Sequence, residues 1–292
     1  MIGVKGHLSS SLLRQGIRYK EAPLNADGKW DKEAILATVS DKTKMVIIQR
    51  SRCSSWRPAL SIQEIGDIVS LVRSIGKDII IFVDNCYGEF VEHWEPCHVG
   101  ADIVAGSLIK NPGGGLAATG GYTAGTEKHV ELVANSLYAT GLGKEAGSNP
   151  YGYRDVYQGF FLAPKIVGEA LKGASFAALF FDRLGYKVDP GPFEKRRDIV
   201  QEITLGQPGK LRAFARAIQA ASPVDSFAAP EPWEMPGYAH DVIMAAGAFV
   251  QGASIELSCD GPFIPPYTAY LQGGLTKEHV IYACMKAKEA LS

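Results

Sequence analysis

The sequence predicts an α/β protein, with a mostly parallel sheet in a larger first part and a smaller α+β part behind it. Three observations carry this. Short apolar runs at 45–48 and 79–83 flank an amphipathic stretch at 61–74, the strand–helix–strand rhythm of a parallel sheet with helices on its faces. Beyond residue 199 the rhythm changes, and the strand-like runs 241–249 and 253–258 follow one another without a helix between them, as in an antiparallel sheet covered on one side. Between the two lies a long helix-like stretch, 164–184, with Pro164 in its first turn and Gly185 closing it, long enough to bridge two lobes. The expected division is 1–160 and 161–292.

In chain order, the second strand, 79–83, ends in Asp84. A third short run, 102–105, leads into Gly106-Ser107-Leu108-Ile109-Lys110 and the loop Asn111-Pro112-Gly113-Gly114-Gly115. A fourth strand follows at 121–124 and a helix at 127–138. The stretch 139–153 is rich in Gly, Ser, Asn and Pro and reads as loop. The remaining elements are a strand at 199–204, a helix at 210–221 and a final helix at 277–291. No internal repeat interrupts them.

Composition narrows the partners. The 292 residues include 30 Lys+Arg against 31 Asp+Glu and are 46% hydrophobic, a globular composition with no basic field to attract nucleic acid or anionic lipid. The longest apolar run, 242–250, has nine residues, about half of the roughly 18–20 needed to span a bilayer. The first residues lack the apolar core of a secretory signal. Five cysteines, none spaced C-x-x-C, suggest neither a disulfide framework nor a zinc site, so no metal is expected and the reducing cytoplasm is the simplest location. Walker-type loops, G-x-G-x-x-G, H-E-x-x-H and G-x-S-x-G are absent.

What remains is an acid ending one buried strand, Asp84, and a lysine 26 residues later, Lys110, after the next strand. Open α/β sheets bind ligands at their strand carboxyl ends. A lysine there, flanked by Leu108 and Ile109, is expected to be partly desolvated, which lowers its pKa and favours the neutral amine that forms a Schiff base. Pyridoxal phosphate uses such a lysine, and its pyridinium nitrogen needs a carboxylate beside it, the position of Asp84. Ser107 is placed to donate to the cofactor phosphate, and the glycines after Lys110 permit close backbone approach. Arg50, Arg52 and Arg57 follow the first strand at the same edge and are candidates for binding a carboxylate or phosphate. Each residue has a plainer reading: Asp84 as a turn residue, Lys110 and the arginines as surface groups, Tyr87, Phe90 and Trp94 as core or interface aromatics, and Cys86 as a small buried apolar group.

Three segments carry a resemblance. Val83-Asp84-Asn85-Cys86-Tyr87-Gly88-Glu89-Phe90, Ala105-Gly106-Ser107-Leu108-Ile109-Lys110-Asn111-Pro112-Gly113-Gly114-Gly115 and Tyr157-Gln158-Gly159-Phe160-Phe161-Leu162-Ala163-Pro164 look like the aluminium-resistance proteins. These are a branch of the fold-type I pyridoxal-phosphate enzymes related to methionine gamma-lyase and cystathionine beta-lyase. Leu271-Gln272-Gly273-Gly274-Leu275-Thr276 belongs to the same pattern, and the resemblance runs through the whole chain. It implies an aspartate-aminotransferase-like fold, with Lys110 as Schiff-base lysine, Asp84 as pyridinium partner and Ser107 as phosphate ligand. It further implies a carbon–sulfur lyase acting on a sulfur amino acid, assembled as a homodimer or homotetramer.

Two departures from the family pattern qualify those expectations. Family members begin upstream, with a segment supplying a glycine-containing phosphate loop and an aromatic that stacks on the cofactor. The chain begins after that segment, so its large domain is expected to be incomplete, and a truncated, non-catalytic member is the alternative reading. No arginine follows Arg216, whereas fold-type I enzymes commonly draw a carboxylate-binding arginine from this lobe. A different pyridoxal-phosphate reaction, such as transamination, is the third reading.

Overall fold

β-Branched and apolar runs become strands where their alternate side chains can be buried. In the computed structural model, which describes residues 12–137, 143, 152–235 and 238–292, they form β1 (Met45–Gln49), β2 (Ile80–Asp84), β3 (Ile103–Ser107) and β4 (Gly121–Gly125), in spatial order β1-β2-β3-β4. The first three are parallel, with Ile48 opposite Val83 and Val83 opposite Val104. Ile48, Ile81, Val83 and Val104 share one face and pack against Ile65, Ile68, Val69 and Val72 of α2 (Ile62–Ile75). Ser61 starts α2 because its hydroxyl accepts the Glu64 amide while the Glu64 carboxylate accepts the Ser61 amide. Ahead of β1, Asp31 caps α1 (Lys32–Thr38), a helix the sequence pattern does not signal. β4 runs antiparallel to β3, so the sheet is mixed; its connection to β3 holds no crossover helix, which a parallel neighbour requires.

β4 leads into α3 (Glu127–Leu137), and most of the expected loop at 139–153 lies outside the described residues. The second sheet holds β5 (Lys187–Asp189), β6 (Val200–Thr204), β7 (Val242–Ala245), β8 (Ser258–Pro262) and β9 (Thr268–Gln272), in order β5-β6-β9-β8-β7 and entirely antiparallel. Helices α4 (Arg154–Arg183), α5 (Pro208–Ala220) and α6 (Lys277–Leu291) cover one face, where Phe181, Ile203, Phe214, Ile218, Leu271 and Cys284 form the larger core.

Two expectations are corrected here. Residues 253–257 are not strand, and only Ser258 of that run enters β8. Glu256 turns inward instead, and its carboxylate accepts the amides of Phe249 and Val250 at 2.8 and 3.0 Å. Pro164 does not open a helix: α4 begins ten residues earlier, and the proline sits in its interior. The helix tolerates it because Pro164 and Phe160, whose carbonyl loses its donor, both lie on the exposed side where water replaces the bond.

α4 crosses the expected division at residue 160, packing on the second sheet and on the turn that follows β3. Its early turns meet the 3-10 turn Asn111–Gly113, with Gly159 lying against Gly113 and Gly114. A Cβ on Gly159 would lie 2.1 Å from the Gly113 carbonyl oxygen, and one on Gly114, whose φ is +53°, would lie 2.4 Å from the Gly159 carbonyl oxygen. Gly159→Ala is therefore expected to destabilise the fold by about 3 kcal/mol through overpacking against backbone that cannot retreat. Chemical denaturation should show the midpoint falling with the slope unchanged.

Candidate active site

The carboxyl ends of β1, β2 and β3 bring the predicted residues to one edge. Asp84 closes β2, and one carboxylate oxygen accepts the Cys86 amide at 3.1 Å, which turns the chain away from the sheet. The Cys86 thiol bonds to the same carboxylate. Ser107 closes β3, and its carbonyl accepts the Lys110 amide at 3.2 Å, so a tight turn lifts the lysine above the strand end. The Ser107 hydroxyl is half-buried and makes no hydrogen bond among the described residues.

The Lys110 amine lies 4.2 Å from the centre of the Tyr87 ring. Among the described residues it has no carboxylate partner. Burial works against its charge, while Tyr87, Cys86 and Cys53 work in favour, and the amine ends above the ordinary lysine value. The lowering expected from Leu108 and Ile109 is thus overridden. Burial also pushes the Cys86 thiol up to about 11 and raises the Tyr87 hydroxyl, so both are neutral at pH 7. Asp260 on β8, its Oδ2 accepting from Gln272 at 3.0 Å, is raised by burial and drawn down by Lys110.

The three arginines diverge. Arg50 is wholly buried, and its guanidinium donates to Asn85 at 2.8 Å, Glu95 at 3.0 Å and Glu92 at 3.3 Å. Those partners occupy it, and the same network reaches Tyr122, whose hydroxyl accepts from Asn85 and donates to Glu89 at 2.9 Å. Arg52 is also buried and joins the two sheets, donating to Glu202 at 2.9 Å and to Asp189 and lying 3.7 Å from Asp198. In both, the Nε is buried without a partner, and the hydrogen bonds that are made go to groups of the fold. Arg57 differs: its guanidinium donates only to backbone carbonyls, of Gln49 at 3.0 Å, of Pro58 at 3.4 Å and of Ser51. Burial lowers its pKa, because no carboxylate is bonded to it.

The Gly113–Gly115 run does not line the lysine's surroundings. Gly113 and Gly114 meet α4, and a Cβ on Gly115 would lie 2.6 Å from Leu275. Phe90 packs edge-on against Phe160, and Trp94 lies between His93 and His98. The residues facing Lys110 that the sequence reading set aside or passed over are Tyr87, Cys53 and Asp260. Only the separation of Tyr87 from Asp84, three residues along the same turn, was a usable signal. Among the described residues no group of three or more His, Cys, Asp or Glu side chains could hold a metal, and no helix is long and apolar enough to cross a membrane.

Comparisons with known proteins bear on the family and the fold. A family model described as methionine gamma-lyase matches residues 1–292. The uncharacterized protein YnbB of Bacillus subtilis is 50% identical over 292 residues, covering 100% of the chain and 69% of that protein. A solved structure named as a carbon–sulfur lyase involved in aluminium resistance, from Clostridium novyi, is 46% identical with a TM-score of 0.91, covering 99% of the chain and 68% of its own. A structure from Bacillus cereus is 49% identical with a TM-score of 0.93, covering 99% of the chain and 71% of its own. With its full length matched by the family model and its α/β architecture shared with close relatives, the chain belongs to the methionine gamma-lyase family.

Proposed function

We propose that the protein is a pyridoxal-phosphate-dependent carbon–sulfur lyase acting on a sulfur amino acid. The observation that carries the reading is a lysine amine with no bonded carboxylate among the described residues, held over the Tyr87 ring just after β3, the neighbour of the strand that Asp84 closes. The donor set fits the cofactor. Lys110 would bind its aldehyde carbon, the Asp84 carboxylate would face its ring nitrogen, and the Ser107 hydroxyl, unpartnered among the described residues, would donate to its phosphate. When bound, pyridoxal phosphate supplies the electron sink that stabilises negative charge at the substrate Cα.

The chain's own residues do the rest. Asp84 holds a proton at the ring nitrogen, because a carboxylate there favours the charged pyridinium. With the cofactor in place, the Lys110 amine would be the group to take the substrate Cα proton as base and return it as acid. Arg57, which bonds no carboxylate among the described residues, is the group best suited to a substrate carboxylate or the cofactor phosphate. It would stand in for the arginine that the second half of the chain lacks. In this reading residues 1–160 carry the cofactor and residues 161–292 close over the substrate, in a homodimeric or homotetrameric enzyme of the cytoplasm.

The test is an absorption titration of the purified protein and Lys110→Ala with pyridoxal phosphate, followed by borohydride reduction and peptide mapping. A visible band in the wild type that is absent from the variant, with the reduced label on Lys110, is the expected result. An unchanged band in the variant, or a label on another lysine, overturns the assignment.

A further inference from the structure

We infer that Tyr87 is the positioning residue for the Lys110 amine, its ring being the surface on which the amine rests and Ser254 the contact that fixes the ring. The inference rests on the reading of Lys110 as the cofactor's lysine and goes beyond it by naming what holds that lysine. Four observations lead to it.

The amine lies 4.2 Å from the ring centre, within the range of a cation–π contact. It has no bonded carboxylate among the described residues, so the ring face, together with the more distant Asp260 carboxyl, offsets the burial of its charge. The ring itself is anchored. Tyr87 is 6% exposed and packs among Val167 and Ala170 of α4 and Ile255 and Tyr270 of the second half. Its hydroxyl lies 3.3 Å from the Ser254 Oγ. Finally, Tyr87 has φ of +70°, a left-handed conformation rare for a bulky residue and kept only where the surroundings over-determine it.

The groups facing the amine are Tyr87 and Cys86 from the turn after β2, Cys53 from the loop after β1 and Asp260 from β8. The first two are neutral at pH 7, so they do not themselves pin the amine by charge. A free lysine side chain samples many rotamers, and a fixed ring face removes most of them before the cofactor's aldehyde arrives. The seat favours the ammonium over the neutral amine, so it sets both the position of the nitrogen and the pH at which it becomes nucleophilic.

The test is competitive labelling of the whole protein with trace acetic anhydride between pH 6 and 11, read by mass spectrometry at Lys110, with exposed Lys165 as internal standard. Tyr87→Phe keeps the ring face but removes the hydroxyl, and its Lys110 is expected to label closer to the wild type than that of Tyr87→Met. Tyr87→Met keeps the bulk without the π face, and its Lys110 is expected to label about tenfold faster at pH 8, with the titration midpoint about one unit lower. Greater accessibility alone would raise the rate at every pH and leave the midpoint in place, and that outcome overturns the proposal. The wild type tests it even where Tyr87→Met does not fold: a Lys110 midpoint at or below that of Lys165 also overturns it. Failure of the wild type to take up pyridoxal phosphate overturns the cofactor reading of Lys110 without touching the labelling result.

Discussion

Replacing Arg52 by methionine should cost the folded protein about 3–5 kcal/mol at pH 7.5, the usual result of removing one partner from a buried ion cluster. Arg52 is 4% exposed, and Asp198 and Glu202, at 1% and 2%, are nearly inaccessible. Methionine fills the volume but leaves these two carboxylates facing each other without a cation. Asp198 would keep its bonds from the Ser51 hydroxyl at 2.7 Å and the Val200 amide at 3.1 Å. Glu202 loses the most. Burial already lifts its carboxyl to about 7, with Arg52 pulling it back, so the variant should raise it further. An acid whose folded pKa is raised loses stability as pH rises through that value. The deficit should therefore shrink at pH 5.5, where Glu202 is protonated. Guanidinium denaturation at the two pH values checks this; a loss below about 1 kcal/mol at pH 7.5 would show that the cluster does not tie the sheets together.

Glu89→Gln should act in the opposite direction and make the protein more stable in alkali. The Glu89 side chain is 4% exposed, one oxygen accepts from the Tyr122 hydroxyl, and the other is buried without a partner. Burial pushes its carboxyl up to about 8, against the pull of its hydrogen bonds, so at pH 7 it is a neutral acid inside the fold. In the unfolded chain it ionises near pH 4.3. Between those values the folded state holds a proton the unfolded state lacks, and stability falls by about 1.4 kcal/mol per pH unit as pH rises, levelling above 8. Glutamine keeps the acceptor and does not titrate. The variant should match the wild type near pH 5 and exceed it by several kcal/mol at pH 8.5, in denaturation curves taken across that range. Parallel curves for the two proteins would mean that Glu89 is ionised in the fold.

The sequence pattern was most legible where burial was one-sided and the side chains apolar. The strands ending in Asp84 and Ser107 and the helix from Lys277 stood out because nothing polar interrupts their spacing. β9 did not: all five of its residues are buried, but Thr268 and Gln272 are among them, and its alternation is lost. β8 reads Ser-Cys-Asp-Gly-Pro, the composition of a turn, and becomes a strand only because β7 and β9 pair with both its edges. The arginines could not be told apart by inspection, since their environments come from remote residues. Glu92 and Glu95 lie more than 40 positions from Arg50, and Asp198 and Glu202 about 150 from Arg52. Tyr87 was passed over for a related reason, because a lone aromatic after a strand looks the same whether it fills a core or carries a lysine.

The glycine joint between α4 and the turn after Lys110 has a mechanical consequence. A helix of 30 residues is a rod about 45 Å long. One end bears on the loop of the lysine through Gly159, and the other on the second sheet through Phe181. A rod pinned this way behaves as a lever, in which a small tilt at the far end becomes a displacement at the near one. Substitutions around Phe181, Phe214 and Ile203, remote from the site, should therefore reach the lysine by leverage, and inactivating changes should gather along the helix as well as around Lys110.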